Sequence, residues 1–175
     1  MAVRRTSAAG QRGQSTVEFA LVVIVLFVML FAVFDFGVFF AGRITATNAA
    51  RSAARYAATH PTAWSNASSP PSNSIQGRLI SGAVPAAISN DDSHVTISYI
   101  VPGGGAGTTC GHYSASTNSF VPATGYTQAT CVVPGSLIQV HVHYIYTLAG
   151  PALSALGLST NSLTVDGSAA ELEER

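Results

Sequence analysis

The chain has 175 residues, enough for one domain beside a membrane helix. Eight basic and eight acidic residues cancel, Lys is absent, and charged residues make up only 9% of the chain. That composition excludes a basic patch for nucleic acid.

The first segment, Met1 to Gly13, carries Arg4, Arg5 and Arg12 and reads as a disordered basic leader. Gly13 is followed by the uncharged run Gln14-Ser15-Thr16-Val17, then by Glu18. Sixteen apolar residues follow without a break, Phe19 to Phe34. Asp35 interrupts, and Phe36 to Ala41 continues the run. Together they reach the roughly 20 residues that span a bilayer core, so a membrane helix is expected over about residues 17–41. A carboxylate inside such a run is costly and turns toward protein or water, which singles out Asp35. Its candidate partners are Arg43, two turns on, a second helix, or water at the outer interface. Glu18, at the edge, costs less. Ser15-Thr16-Val17-Glu18 also fits a capping box, with Ser15 as N-cap, so Glu18 has a purely structural reading as well.

A secretory signal peptide has a shorter apolar core and a small-residue cleavage site directly after it. Ala46 to Ala58 is rich in small residues and leaves a cut there as an alternative, but a retained helix fits the length better. Arg4, Arg5 and Arg12 before the span are balanced by Arg43, Arg51 and Arg55 after it, so loop charge does not orient it. Cys110 and Cys131, an even pair in a Gly/Ser/Thr-rich stretch, suggest one disulfide and an oxidising compartment outside the cytoplasm. Two free thiols are the alternative.

Gly42 to Thr59 is Ala-rich and free of Pro, so the helix is expected to run from Gln14 to the stop at Pro61. Ala46, Ala49, Ala50, Ala53, Ala54 and Ala57 form a small-residue face suited to close packing. Residues 60–74 read as a loop, with Pro70-Pro71 blocking helix. Ile75 to Ile88 suits a short amphipathic helix with Ile75, Leu79 and Ile80 inward. His94 to Val101 alternates as a strand. Residues 102–135 read as one long loop. Leu137 to Leu148 is the clearest strand, with Val140, Val142, Tyr144 and Tyr146 on one face and Gln139, His141, His143 and Ile145 on the other. Leu153 to Leu158 suits a short helix and Ser162 to Ser168 a third strand. The expected fold is α+β: a long N-terminal transmembrane helix, then a small, mostly antiparallel β-sheet head of three or four strands. The expected divisions are 1–13, 14–60 and 61–175.

Motifs for catalysis are missing: no G-x-S-x-G elbow, H-E-x-x-H, phosphate loop or paired carboxylates. An enzyme is not expected, nor a cofactor. His141 and His143 share a strand face in a geometry that can bind metal, but the sequence places no carboxylate beside them, and a half-exposed strand face is the plainer reading. Asn66-Ala67-Ser68 is a glycosylation sequon of low specificity.

The N-terminal residues resemble a type IV prepilin, and more narrowly the TadE-like minor pseudopilins of the tight-adherence (Flp-type) pilus system. The resemblance is carried by Arg12-Gly13-Gln14-Ser15-Thr16-Val17-Glu18-Phe19-Ala20-Leu21-Val22, by Phe34-Asp35-Phe36-Gly37 and by Asn48 to Ala58. It is strong over residues 12–58 and loose beyond. The family usually has Glu where Asp35 stands, and often a Pro in the apolar run that this chain lacks. TadF-like and TadG-like proteins share such N-termini. The resemblance implies cleavage by a prepilin peptidase between Gly13 and Gln14, and helix pairing through Glu18, Phe19 and Asp35. It implies that Glu18 faces the new amino group of a neighbouring subunit. Its implied partners are the peptidase, other pilins and pseudopilins, the inner-membrane pilus assembly complex and the lipid bilayer. The protein would cross the bacterial cytoplasmic membrane once, with its N-terminus in the cytoplasm and its head outside. The competing reading is an unprocessed, membrane-anchored binding or adhesin-like module; an envelope enzyme ranks last.

Overall fold

A computed structural model describes residues 11–83, 88–102, 108–147 and 162–172. The chain divides into two compact units, Met1–Val38 and Phe39–Arg175.

The described part of the first unit is helical and belongs to α1, Gln11–Thr59. Gly13 therefore lies within the helix, and so does Ser15. A residue inside the helix cannot serve as its N-cap, so the capping-box reading of Ser15 and Glu18 is corrected. The leader residues before Gln11 lie outside the described residues. Large apolar side chains from Val17 to Phe36 stand exposed all round the helix, as in a segment that meets lipid rather than a protein core.

The second unit combines the end of α1 with α2 (Ile75–Gly82), β1 (Val95–Ile100), β2 (Thr109–Ser114), β3 (Ser119–Pro122), α3 (Gln128–Cys131), β4 (Leu137–Thr147) and β5 (Ser162–Leu172). The strands form one five-stranded sheet in the order β3-β2-β1-β4-β5, and every pairing is antiparallel. The α+β expectation holds, but the strand count exceeds the expected three or four. The expected loop 102–135 in fact holds β2, β3 and α3. Thr109-Cys110-Gly111-His112-Tyr113-Ser114 lacks apolar alternation; it is a strand because β1 and β3 pair with it on both sides. The expected helix Leu153–Leu158 lies outside the described residues. The expected strand at Ser162 runs on to Leu172 because it pairs with β4 over its whole length.

The core follows from two periodicities. On β4, Ile138, Val140 and Val142 are fully buried, and on β1 so are Ile97 and Tyr99. Register joins them in pairs: Ile97 opposite Val140, Tyr99 opposite Ile138, Val95 opposite Val142. The Ala face of α1 joins the same cluster, with Ala46, Ala50, Ala53, Ala54 and Ala57 fully buried. Small side chains let the helix backbone come close. A Cβ on Gly167 of β5 would lie 3.1 Å from the Thr47 amide nitrogen. Ile75 and Leu79 of α2 are fully buried and each contributes about 1.5–3 kcal/mol.

Cys110 at β2 and Cys131 at the end of α3 form a disulfide with a Cα–Cα distance of 5.7 Å. It closes a loop of 21 residues in sequence separation, a constraint worth about 3 kcal/mol by loop entropy. A Cys110→Ala/Cys131→Ala double variant is expected to lose about that much stability, read as a lower midpoint in urea with a somewhat steeper slope as the unfolded chain expands.

Candidate functional site

Two regions carry side chains that the fold alone does not explain. The first is the N-terminal part of α1. Gln14 Nε2 donates to Glu18 Oε1 at 3.0 Å, one turn apart on the helix. Glu18 and Phe19 are both exposed, Phe19 at 69%. No part of the most apolar stretch of the helix is buried within the chain, and the helix is long and apolar enough to cross a membrane. Asp35 stands among exposed apolar neighbours. The ion pairs among the described residues involve Arg55, His94, His141 and His143, and Asp35 enters none of them. Gly13 has nothing within 4 Å of where a Cβ would stand.

The second region is the outer face of the sheet, opposite the buried one. His141 and His143 lie on it, as the alternation on β4 implies, and both are half-exposed. The structure adds a residue that the sequence did not connect with them. Asp166 of β5 pairs in register with His143, and its Oδ1 lies 2.8 Å from His143 Nδ1 and 3.8 Å from His141 Nε2. The carboxylate thus sits between the two rings. As placed, the three side chains do not enclose a common point, and no group of three or more His, Cys, Asp or Glu among the described residues does. The missed signal was the β4–β5 register, which brings together residues 23 apart in sequence.

Two further carboxylates are structural. Burial tends to raise the Asp91 carboxyl. Hydrogen bonds from the Ser93 and His94 side chains and the Ser93 amide outweigh it and pull the group down to about 2. Asp92 is likewise lowered, with burial outweighed by the Ala115 amide, the Ser114 hydroxyl and the Ser116 amide. Asp92 thereby fastens the end of β2 to the turn before β1. Depressed carboxylates give stability that is present above their unfolded value, near 4, and is lost as pH falls through the folded value. Asp91→Asn is expected to flatten the acid limb of the melting temperature between about pH 4 and about 2, checked by circular dichroism melts across that range.

No curated protein and no solved structure matches this chain. A family model does: the one described as TadE-like protein matches residues 13–55. The match covers Gly13, Glu18, the apolar run, Asp35 and most of the buried Ala face. Over residues 13–55 this chain is similar to the TadE-like family, the one that its N-terminal sequence resembles.

Proposed function

We propose that the protein is a minor pseudopilin, a structural and assembly protein rather than an enzyme, which a prepilin peptidase cuts between Gly13 and Gln14. The TadE-like match supports a place in tight-adherence pilus systems. One observation carries the finer reading: an apolar helix segment with no part buried in its own chain follows Gly13 and Glu18 at the prepilin spacing. Such a surface needs lipid before assembly and other helices after it. Glu18, Phe19 and Asp35 are the residues assigned to helix pairing. A Glu18 carboxylate can be buried between subunits only beside an opposite charge, and the amino group newly freed at Gln14 supplies one. The protein sits in the bacterial cytoplasmic membrane with its N-terminus inside and its disulfide-bonded head outside. It works with other pilins and the inner-membrane assembly complex.

The test is the mature N-terminus, read by mass spectrometry on protein from native membranes. A chain beginning at Gln14 supports processing. An intact leader, in cells with an active peptidase, would leave a membrane-anchored extracytoplasmic module that joins no filament. A start near Ala46 would make the apolar run a signal peptide and the head a secreted protein.

A further inference from the structure

The sheet ends in two edges of unlike character. β3 is 4 residues long and ends at Pro122, which has no amide to donate. β5 is 11 residues long, holds no Pro, and pairs only with β4 among the described residues. Register fixes which of its backbone groups are spare. In an antiparallel ladder the N–H and C=O of one residue point to the same side, and the side alternates along the strand. The His143 amide points away from β5, donating to the His94 carbonyl just ahead of β1 at 2.8 Å. The backbone groups of Val140, Val142 and Tyr144 therefore turn toward β5, where they meet Ala169, Gly167 and Val165. Those of Thr164, Asp166, Ser168 and Ala170 are left facing outward from the sheet. We propose that this edge takes up one extended, basic segment of a different envelope protein as an added strand.

Long edges are normally blunted by Pro, Lys or a bulge. β5 has none of these: its register with β4 is continuous from Ser162 to Leu172, and the chain lacks Lys altogether. Its two acids are drawn away from the edge. Asp166 Oδ1 lies 2.8 Å from His143 Nδ1, and Glu171 Oε1 lies 3.7 Å from Arg55 Nε on α1. Thr164, Asp166, Ala170 and Leu172 are exposed. Main-chain bonds along such an edge supply affinity, and nearby charge selects the occupant. From Ser162 onward the sequence carries Asp166, Glu171, Glu173 and Glu174 against Arg175 alone, so a basic strand is favoured. A second copy of this chain does not supply one. None of its strands contains Arg, and β3 is too short to line β5. Pairing two β5 strands brings two acidic segments together. In the antiparallel arrangement the two-fold axis also passes through the sheet and reverses α1, whose Ala face packs along that sheet. Two chains anchored in one membrane by that helix cannot point it in opposite directions. The inference concerns the head and does not depend on cleavage at Gly13.

The experiment places a photo-crosslinking residue at Ala170 of the full-length protein in native membranes. Thr117, exposed in the turn between β2 and β3, is the off-edge control position. A cross-link of discrete mass is expected from Ala170 and none from Thr117. Peptide mapping is expected to place it on an extended, Lys- or Arg-bearing segment of another protein. Thr164→Pro removes an outward amide while leaving the bonds to β4 in place, and is expected to reduce the cross-link by more than about tenfold. Ser168→Pro makes the same change at a second outward position. Near-UV circular dichroism identifies which Pro variant keeps the packing of the head, and that variant decides. The proposal is overturned if no cross-link forms, or if it survives a folded Pro variant. It is equally overturned if the mapped peptide is acidic, belongs to a second copy, or comes from the same chain folded over its own edge.

Discussion

A Gly13→Val variant is expected to remain uncut, with its leader intact, while folding as the parent does. The two halves of that expectation rest on different observations. The fold is indifferent because nothing lies within 4 Å of a Cβ at Gly13. Within a helix Gly is among the weakest residues and Val is slightly better, so the change is neutral or mildly favourable to α1. Gly at this point is therefore not there for the helix, which gives it up at no cost. A peptidase cleft that must close around the backbone after Gly13 does have a reason to exclude a branched side chain. The measurement is intact mass from native membranes, parent beside variant, with the peptidase active. Complete conversion of the parent to a chain starting at Gln14, against none of the variant, is the expected result. Equal cleavage of both would remove the assigned specificity. Glu18→Ala provides the complementary case. It leaves the cut site in place but removes the charge that would meet the amino group of the next subunit. It is expected to be processed normally and to vanish from sheared pilus fractions.

Legibility of this fold in its sequence tracks how local the determining forces are. The helix was readable from Gln14 to Thr59 because apolar length and Ala content act residue by residue; its start at Gln11, inside the expected leader, was not. β1 and β4 were readable because buried residues alternate along β4 from Ile138 to Tyr144 and along β1 as far as Tyr99. β2, β3 and α3 were not, because the residues that make them ordered lie elsewhere in the chain. Gly111 is in β2 partly because the Phe120 ring occupies the space over it, and Tyr113 is held by its hydroxyl donating to Asn118 at 2.8 Å. Neither contact has a sequence signature. The same holds on the outer face, where Asp166 reaches His143 only through strand register. The Ser15–Glu18 motif shows the opposite error. A four-residue pattern matched a cap, but the helix had already begun upstream. What distinguishes Glu18 is its place between Gly13 and an unburied apolar segment, a longer-range relation than a capping box.

A Gly77→Ala variant is expected to be the most damaging single-methyl change in the head. Gly77 lies in the first turn of α2, buried against the Pro70-Pro71 segment. A Cβ there would overlap the carbonyl of Pro71 and lie 3.0 Å from the Pro70 carbonyl oxygen. Backbone carbonyls cannot swing aside as a flexible side chain can, so either the turn or the helix must move. Both choices break the local hydrogen bonds. The Gly77 amide donates to Ser74 Oγ at 3.1 Å, which caps α2, and the Ser74 hydroxyl donates to the Pro71 oxygen at 2.7 Å. Displacing the turn loses that linked pair, and displacing α2 withdraws Ile75 and Leu79 from the core. Overpacking of this kind with loss of a cap adds to about 3 kcal/mol or more. For a chain of this size that corresponds to a fall of roughly 10 °C in melting temperature. The control is Gly37→Ala, where nothing lies within 4 Å of the new methyl group and Ala is the better helix former. It is expected to leave the melt of the head unchanged. Thermal denaturation of the detergent-solubilised protein, followed by near-UV circular dichroism, distinguishes the two. A Gly77→Ala melt within about 2 °C of the parent, less than about 1 kcal/mol, would show that the turn yields freely and that the Ser74 cap does not hold α2 in place.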